Sequence, residues 1–289
     1  DVYKRQTYAQ VGQIVVVVVA TVLIIGTLMN RSPWALLSGI GALTAIIMLV
    51  FKDSILGFVS SVQLTANDMV RPGDWIEMPR YEADGDVIDV SLHTVKVQNW
   101  DKTISTIPTY QLMQESFKNW RGMSESGGRR IKRAINIDMS TIGFCDDEML
   151  ERFEQIELLQ GYIKEKRAEL QASNLERAGS QPTNLRRLTN VGTYRAYVVA
   201  YLRAHPKIHD DMTFLVRQLA PSERGLPLEI YVFCNDQVWA HYEAIQADIF
   251  DHLLAVLPDF GLRAFQLPSG ADVSTAFEQG SVSGSRALN

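Results

Sequence analysis

Between Val11 and Phe51 the chain carries one formal charge, Arg31. Val11–Met29 has Gln13 as its one strongly polar residue, and Pro33–Phe51 has no charge at all. As helices, nineteen residues at ~1.5 Å each give about 28 Å, close to the hydrocarbon thickness of a bilayer. Two buried core helices, or a cleavable signal, are the alternatives. A signal peptide has one short apolar segment and a small-residue cleavage site, which two tandem runs do not resemble. The expectation is therefore two membrane spans. Asn30-Arg31-Ser32 is long enough only to reverse direction, so the spans form a hairpin with both flanks on one side of the bilayer. Lys4 and Arg5 favour the cytoplasmic side. The opening "DVYKRQ" lacks an initiator Met and reads as a translated sequencing-adapter end, so residues 1–10 are expected to be a fragment or artefact, with upstream sequence missing.

Past Phe51 the character changes. Of 28 Lys/Arg and 33 Asp/Glu, only Lys4, Arg5, Arg31 and Asp1 lie before Lys52, so the remainder is acidic and without basic runs. That argues against a nucleic-acid partner. Cys145 and Cys234 lack CxxC spacing and read as reduced core residues. Ser54–Met69 repeats Ile55, Phe58, Val59 and Val62 at three- and four-residue spacing, an amphipathic helix at an interface. "RPGDW" at Arg71–Trp75 is a turn opening short strands at Trp75–Met78, Val87–Val90, Thr94–Val97 and Thr103–Ile107, with "ADGD" and "NWDKT" as turns between them. Over residues 70–123 these form a small antiparallel β-barrel or sandwich.

"SESGG" at Ser124–Gly128 reads as a linker into an α+β domain over residues 124–268. Its expected elements are a strand at Ile131–Asp138, a helical insertion within 146–189 centred on Asp146–Ala172, and a surface loop at Ser173–Thr183. A helix at Tyr194–Arg203, strands at Thr213–Leu219 and Glu229–Cys234, a helix at Val238–Leu257 and a short last strand follow. Residues 269–289 are small and polar, the composition of a disordered tail.

Catalytic patterns are absent. His205 and His209 have HxxxH spacing, but Pro206 interrupts a helix there and no third ligand stands nearby, so no metal site is assigned. Gly39-x-Gly41 lies inside a span rather than after a strand, and fails as a dinucleotide signature. Asp146, Asp147 and Glu148 suit a helix start, where acidic residues meet the positive end of the dipole. No cofactor and no enzymatic role are expected.

Lys52 and Asp53 stand together where the apolar run ends. A lysine favours the last carbonyls of one helix, and an aspartate caps the first amides of the next. The order predicts a break, a hinge at the membrane face. Simple snorkelling of Lys52 from an unbroken helix is the alternative.

From about Ser38 to Pro268 the chain resembles the small-conductance mechanosensitive channels, most closely their miniconductance branch. The resemblance is carried by "GIGALTAIIMLVFKDSILGFVSSVQL", "VRPGDWIEM" and "TISTIPTYQLMQESFKNW", in that order. It implies a transmembrane hairpin with a bent pore helix, a β-barrel like an Sm domain and an α+β cytoplasmic domain. It also implies seven copies around a vestibule in a bacterial inner membrane, in contact with lipids and passing ions and small solutes on hypo-osmotic shock. Position by position, Ala45 and Leu49 fall where the family narrows its pore. Ser38, Gly41 and Ala42 fall where it packs helices through small residues, and Asp53 falls at its bend. Thr44, Ile46 and Met48 are bulkier than that pattern expects, and Asp53 replaces a glycine. A membrane-anchored cytosolic scaffold is the rival reading; a carrier would place a charge within a span.

Overall fold

A computed structural model describes residues 2–29, 32–175, 177, 181–268, 270 and 274. The chain divides into two compact units, Asp1–Arg121 and Gly122–Asn289.

The first unit opens with α1, Val2–Leu28, and α2, Pro33–Ala66, which touch each other. Pro33 starts α2 where the first amide has no helical partner to lose. Among the described residues one helix, Trp34–Ala66, is long and apolar enough to cross a membrane, and Gly12–Leu28 is a shorter apolar helix. Of the two spans expected, α2 is clearly long and apolar enough, and α1 supplies the shorter apolar helix. The expected break at Lys52–Asp53 is absent, because α2 is helical on both sides and Asp53 caps nothing. No glycine or proline lies between Ala42 and Leu56 to interrupt the ladder. Two dipole contacts of ~0.3–1 kcal/mol each do not repay the hydrogen bonds that a break forfeits.

The strands of this unit are β1 Trp75–Met78, β2 Ala83–Val90, β3 Thr94–Asn99, β4 Ile104–Pro108 and β5 Lys118–Asn119. They form one antiparallel sheet in the order β4-β3-β2-β1-β5. The sheet is open, not the closed barrel expected. β5 is two residues long and pairs only with β1, while β4 runs straight into a short helix, α3, Thr109–Gln114. Leu112 of α3 fills the core together with Ile76, Met78, Val87, Val95, Val97 and Ile107.

"ADGD" is strand β2 rather than a turn. A Cβ on Gly85 would lie 2.0 Å from the Gln98 carbonyl oxygen, so glycine is needed there for strands to meet. The reversal before β2 is made instead by a 3-10 turn, Pro79–Tyr81, with Glu82 at φ 49°.

The second unit begins at Gly122, inside α4, Arg121–Ser126, which occupies most of the expected linker. Gly127 follows at φ 77°, and a Cβ on Gly128 would strike Met212 Sδ at 2.3 Å, so this stretch is packed. Next come β6 Arg129–Ile137, α5 Asp147–Glu154, α6 Gln160–Leu175, α7 Asn190–Ala204, β7 Leu215–Gln218, β8 Leu226–Cys234 and α8 Trp239–Ala255. The sheet order is β6-β8-β7, all antiparallel.

Asp146 starts α5 as expected, its carboxylate accepting from the Met149 N–H at 2.8 Å. The single charged helix expected here is two, separated by a 3-10 turn at Glu157–Leu159. That interruption lets Phe153, Leu159 and Ile163 all reach the core. The expected last strand reduces to one bridge, Ile137 to Ala264. The expected surface loop begins later than Ser173, since α6 runs to Leu175; residues 176 and 178–180 lie outside the described residues. So does the expected tail, apart from Gly270 and Ser274.

Candidate functional site

At 100° per residue, Ser38, Ala42, Ala45 and Leu49 form one stripe along α2, with Gly41 and Lys52 on one edge and Asp53 on the other. All seven are exposed, Leu49 at 75%. The neighbouring faces are equally bare: Ile40, Leu43, Ile46, Ile47, Met48, Val50 and Phe51 are all exposed. Polar groups on this helix are satisfied internally, Ser38 Oγ donating to the Trp34 carbonyl at 2.7 Å and Thr44 Oγ1 to that of Ile40 at 2.8 Å. A Cβ on Gly41 would meet nothing within 4 Å.

The C-terminal third behaves differently. Ser60 and Leu64 are buried, Leu64 completely, in the core of the β-sheet domain. Gly57 passes so near His93 that a Cβ would lie 3.0 Å from its Nδ1. The helix ends in a Schellman turn. Met69 N–H donates to the Leu64 carbonyl at 3.0 Å and Asp68 N–H to that of Thr65 at 3.1 Å, with Asp68 at φ 52°. Leu64 and Met69, the residues that flank such a turn, pack in one cluster.

A polar clamp holds this end. Asp74, 8% exposed, accepts from Arg121 Nε at 2.8 Å and from Arg121 Nη2. It also accepts from Asn119 Nδ2 at 2.9 Å and from the Arg71 N–H at 2.8 Å. Arg121 Nη1 reaches the Asp68 carbonyl and carboxylate, both at 3.1 Å, while Asn119 Nδ2 also donates to the Met69 carbonyl at 3.0 Å. Burial works to raise the Asp74 carboxyl. The hydrogen bonds from Arg121, Arg71 and Asn119 outweigh it and hold the group below its ordinary range. Beside the clamp Trp75 stacks on Trp120, centroids 4.5 Å apart, and both Trp75 and Trp100 indoles donate to Asp84.

In the sequence "RPGDW" reads only as a turn, and the Asn119-Trp120 pair has no local role. Arg121 directly after that pair, set against a lone Asp in a glycine turn, was the available signal. Together these elements couple a bare apolar helix rigidly to a folded β-sheet domain.

The family model described as the β-domain of mechanosensitive ion channels matches residues 53–122, and that of the C-terminal domain of the mechanosensitive channel MscS matches 195–264. The chain carries two domains of the small-conductance mechanosensitive channel family. Within the family, the low conductance mechanosensitive channel YnaI of Escherichia coli is 24% identical over 271 residues, 93% of this chain and 64% of its own. An uncharacterized MscS family protein of Helicobacter pylori is 30% identical over 103 residues, 36% of this chain and 16% of its own. The chain thus spans less than two thirds of the length of these relatives. The closed-state crystal structure of Helicobacter pylori MscS superposes with a TM-score of 0.52 at 14% identity, covering 91% of this chain and 82% of that one, and supports the fold. The miniconductance affinity rests on the sequence resemblance.

Proposed function

We propose that this protein is the pore-forming part of a channel opened by membrane tension, passing ions and small solutes when a bacterium swells. The carrying observation is that α2 is an apolar helix with none of its membrane-length window buried, yet its last turns are sealed into the β-sheet core. A soluble core helix would be covered, and a cleavable signal would not contribute Leu64 to a downstream core. Bare apolar surface of this extent needs lipid or further copies of itself.

In the proposed assembly identical subunits, seven by the resemblance, ring the pore in the inner membrane with both folded units in the cytoplasm. Ser38, Gly41 and Ala42 let neighbouring helices approach. Ala45 and Leu49 face the lumen, where a ring of leucines closes the path by dewetting. Tension then favours the state of larger membrane area. Lys52 and Asp53 are assigned to the membrane surface, where both charges reach water. No catalytic group, metal or cofactor is required. Native mass spectrometry of the protein in detergent tests the assembly: one dominant ring is expected, and monomers or dimers alone would support the scaffold reading instead.

A further inference from the structure

The second unit holds a cavity of about 660 Å³ between α5, α6 and the segment Arg186–Leu188. Small-molecule sites run from about 300 to 1,000 Å³. In sequence it lies between the two family matches, 53–122 and 195–264. Its walls are fixed to one another. Asn174 of α6 grips Arg186 twice, donating from Nδ2 to its carbonyl at 2.9 Å and accepting its N–H at Oδ1 at 2.9 Å. The Cys145 N–H donates to the Leu188 carbonyl at 2.9 Å, closing the other side.

The lining divides chemically. Leu150, Leu170 and Leu188 are its apolar lining residues, and among its charged ones three arginines, Arg167, Arg186 and Arg187, outnumber one carboxylate, Asp147. Arg167 and Arg186 are paired with Glu154 at 3.0 Å and Glu169 at 2.7 Å, partners that do not line the cavity. These pairs are solvent-exposed, a class that holds weakly and gives way to a competing anion. Arg187 has no carboxylate within ion-pair distance among the described residues. Its guanidinium carbon lies 3.9 Å from the centre of the Phe144 ring, a contact that leaves the N–H groups without a carboxylate partner.

We propose that this cavity binds a small organic anion: a carboxylate or phosphate monoester head on the arginines, with an apolar body against the leucines. Bound there, it would brace α5 and α6 against the 186–188 segment, a chemical input separate from tension.

Isothermal titration of the whole protein in detergent, with empty-micelle heats subtracted, tests this using octanoate and adenosine monophosphate. Inorganic phosphate and octanol serve as head-only and body-only controls. At least one anion with a body is expected to bind with Kd below about 1 mM, and each control at least about tenfold more weakly. Octanoate binding indicates a fatty-acid source, and adenosine monophosphate binding a nucleotide one. Arg186→Gln with Arg187→Gln should weaken binding at least about tenfold, whereas Lys164→Gln, outside the cavity, should not. Leu170→Trp keeps every charge and fills the space, so it must abolish binding even where the arginine variant misfolds. Silence from both anions, equal binding of inorganic phosphate, or undiminished affinity in Leu170→Trp would overturn the proposal.

Discussion

Arg121→Met removes both guanidinium contacts to Asp74 and leaves a carboxylate, 8% exposed, with two donors: Asn119 Nδ2 and the Arg71 N–H. Taking one partner from a buried ion pair costs about 3–5 kcal/mol. The surviving donors place this case at the low end, about 3 kcal/mol, or roughly a hundredfold in the folding equilibrium at 1.4 kcal/mol per decade. Urea unfolding in detergent measures it, because Trp75, Trp100 and Trp120 sit beside the clamp and report its loss by fluorescence. Adding Asp74→Asn should recover part of the loss, since the stranded charge is then gone. Acid gives an independent reading. The folded Asp74 pKa lies below its ordinary 3.8, so its stabilisation is complete above that value and is lost as pH falls through the folded one. Wild type should weaken as pH drops below about 4, and Arg121→Met less so. An Arg121→Met midpoint equal to wild type, with an unchanged acid limb, would refute the clamp.

Gly85→Ala should destabilise the same transition by about 1–3 kcal/mol or more, since its Cβ would press on the Gln98 backbone; a neutral result would mean that the strands can part freely. Leu49→Ser should wet the proposed constriction, so that cells grow poorly and lose potassium without osmotic shock. Normal growth at confirmed expression would turn Leu49 away from the pore. Exchanging Lys52 and Asp53 should leave the opening tension unchanged, because an unbroken helix has no termini there for the charges to meet; a clear shift would reinstate the break.

Legibility followed the range of the forces involved. The apolar run announced α2 because transfer to lipid sums over many neighbouring residues, and alternation placed β1 at Trp75–Met78. Asp146 was readable because a cap acts within one turn. "ADGD" misled because Gly85 answers to Gln98, thirteen positions away, rather than to a local turn. The open edge of the sheet was not legible, because β5 is a two-residue strand beneath any periodicity signal. The Lys52–Asp53 pattern was local and real as chemistry, yet too weak against the continuing helix. Likewise the Asp74–Arg121 pair joins residues 47 apart, and nothing in either motif names the other.

The central claim is that tension opens a path through a ring of α2 helices. Patch recording from membranes containing this protein, under graded suction, tests it most directly. The account predicts unitary currents that appear above a threshold tension, carry both anions and cations, and shift to lower tension in Leu49→Ser. Silent patches up to membrane rupture, with the protein shown to be inserted and assembled, would contradict it.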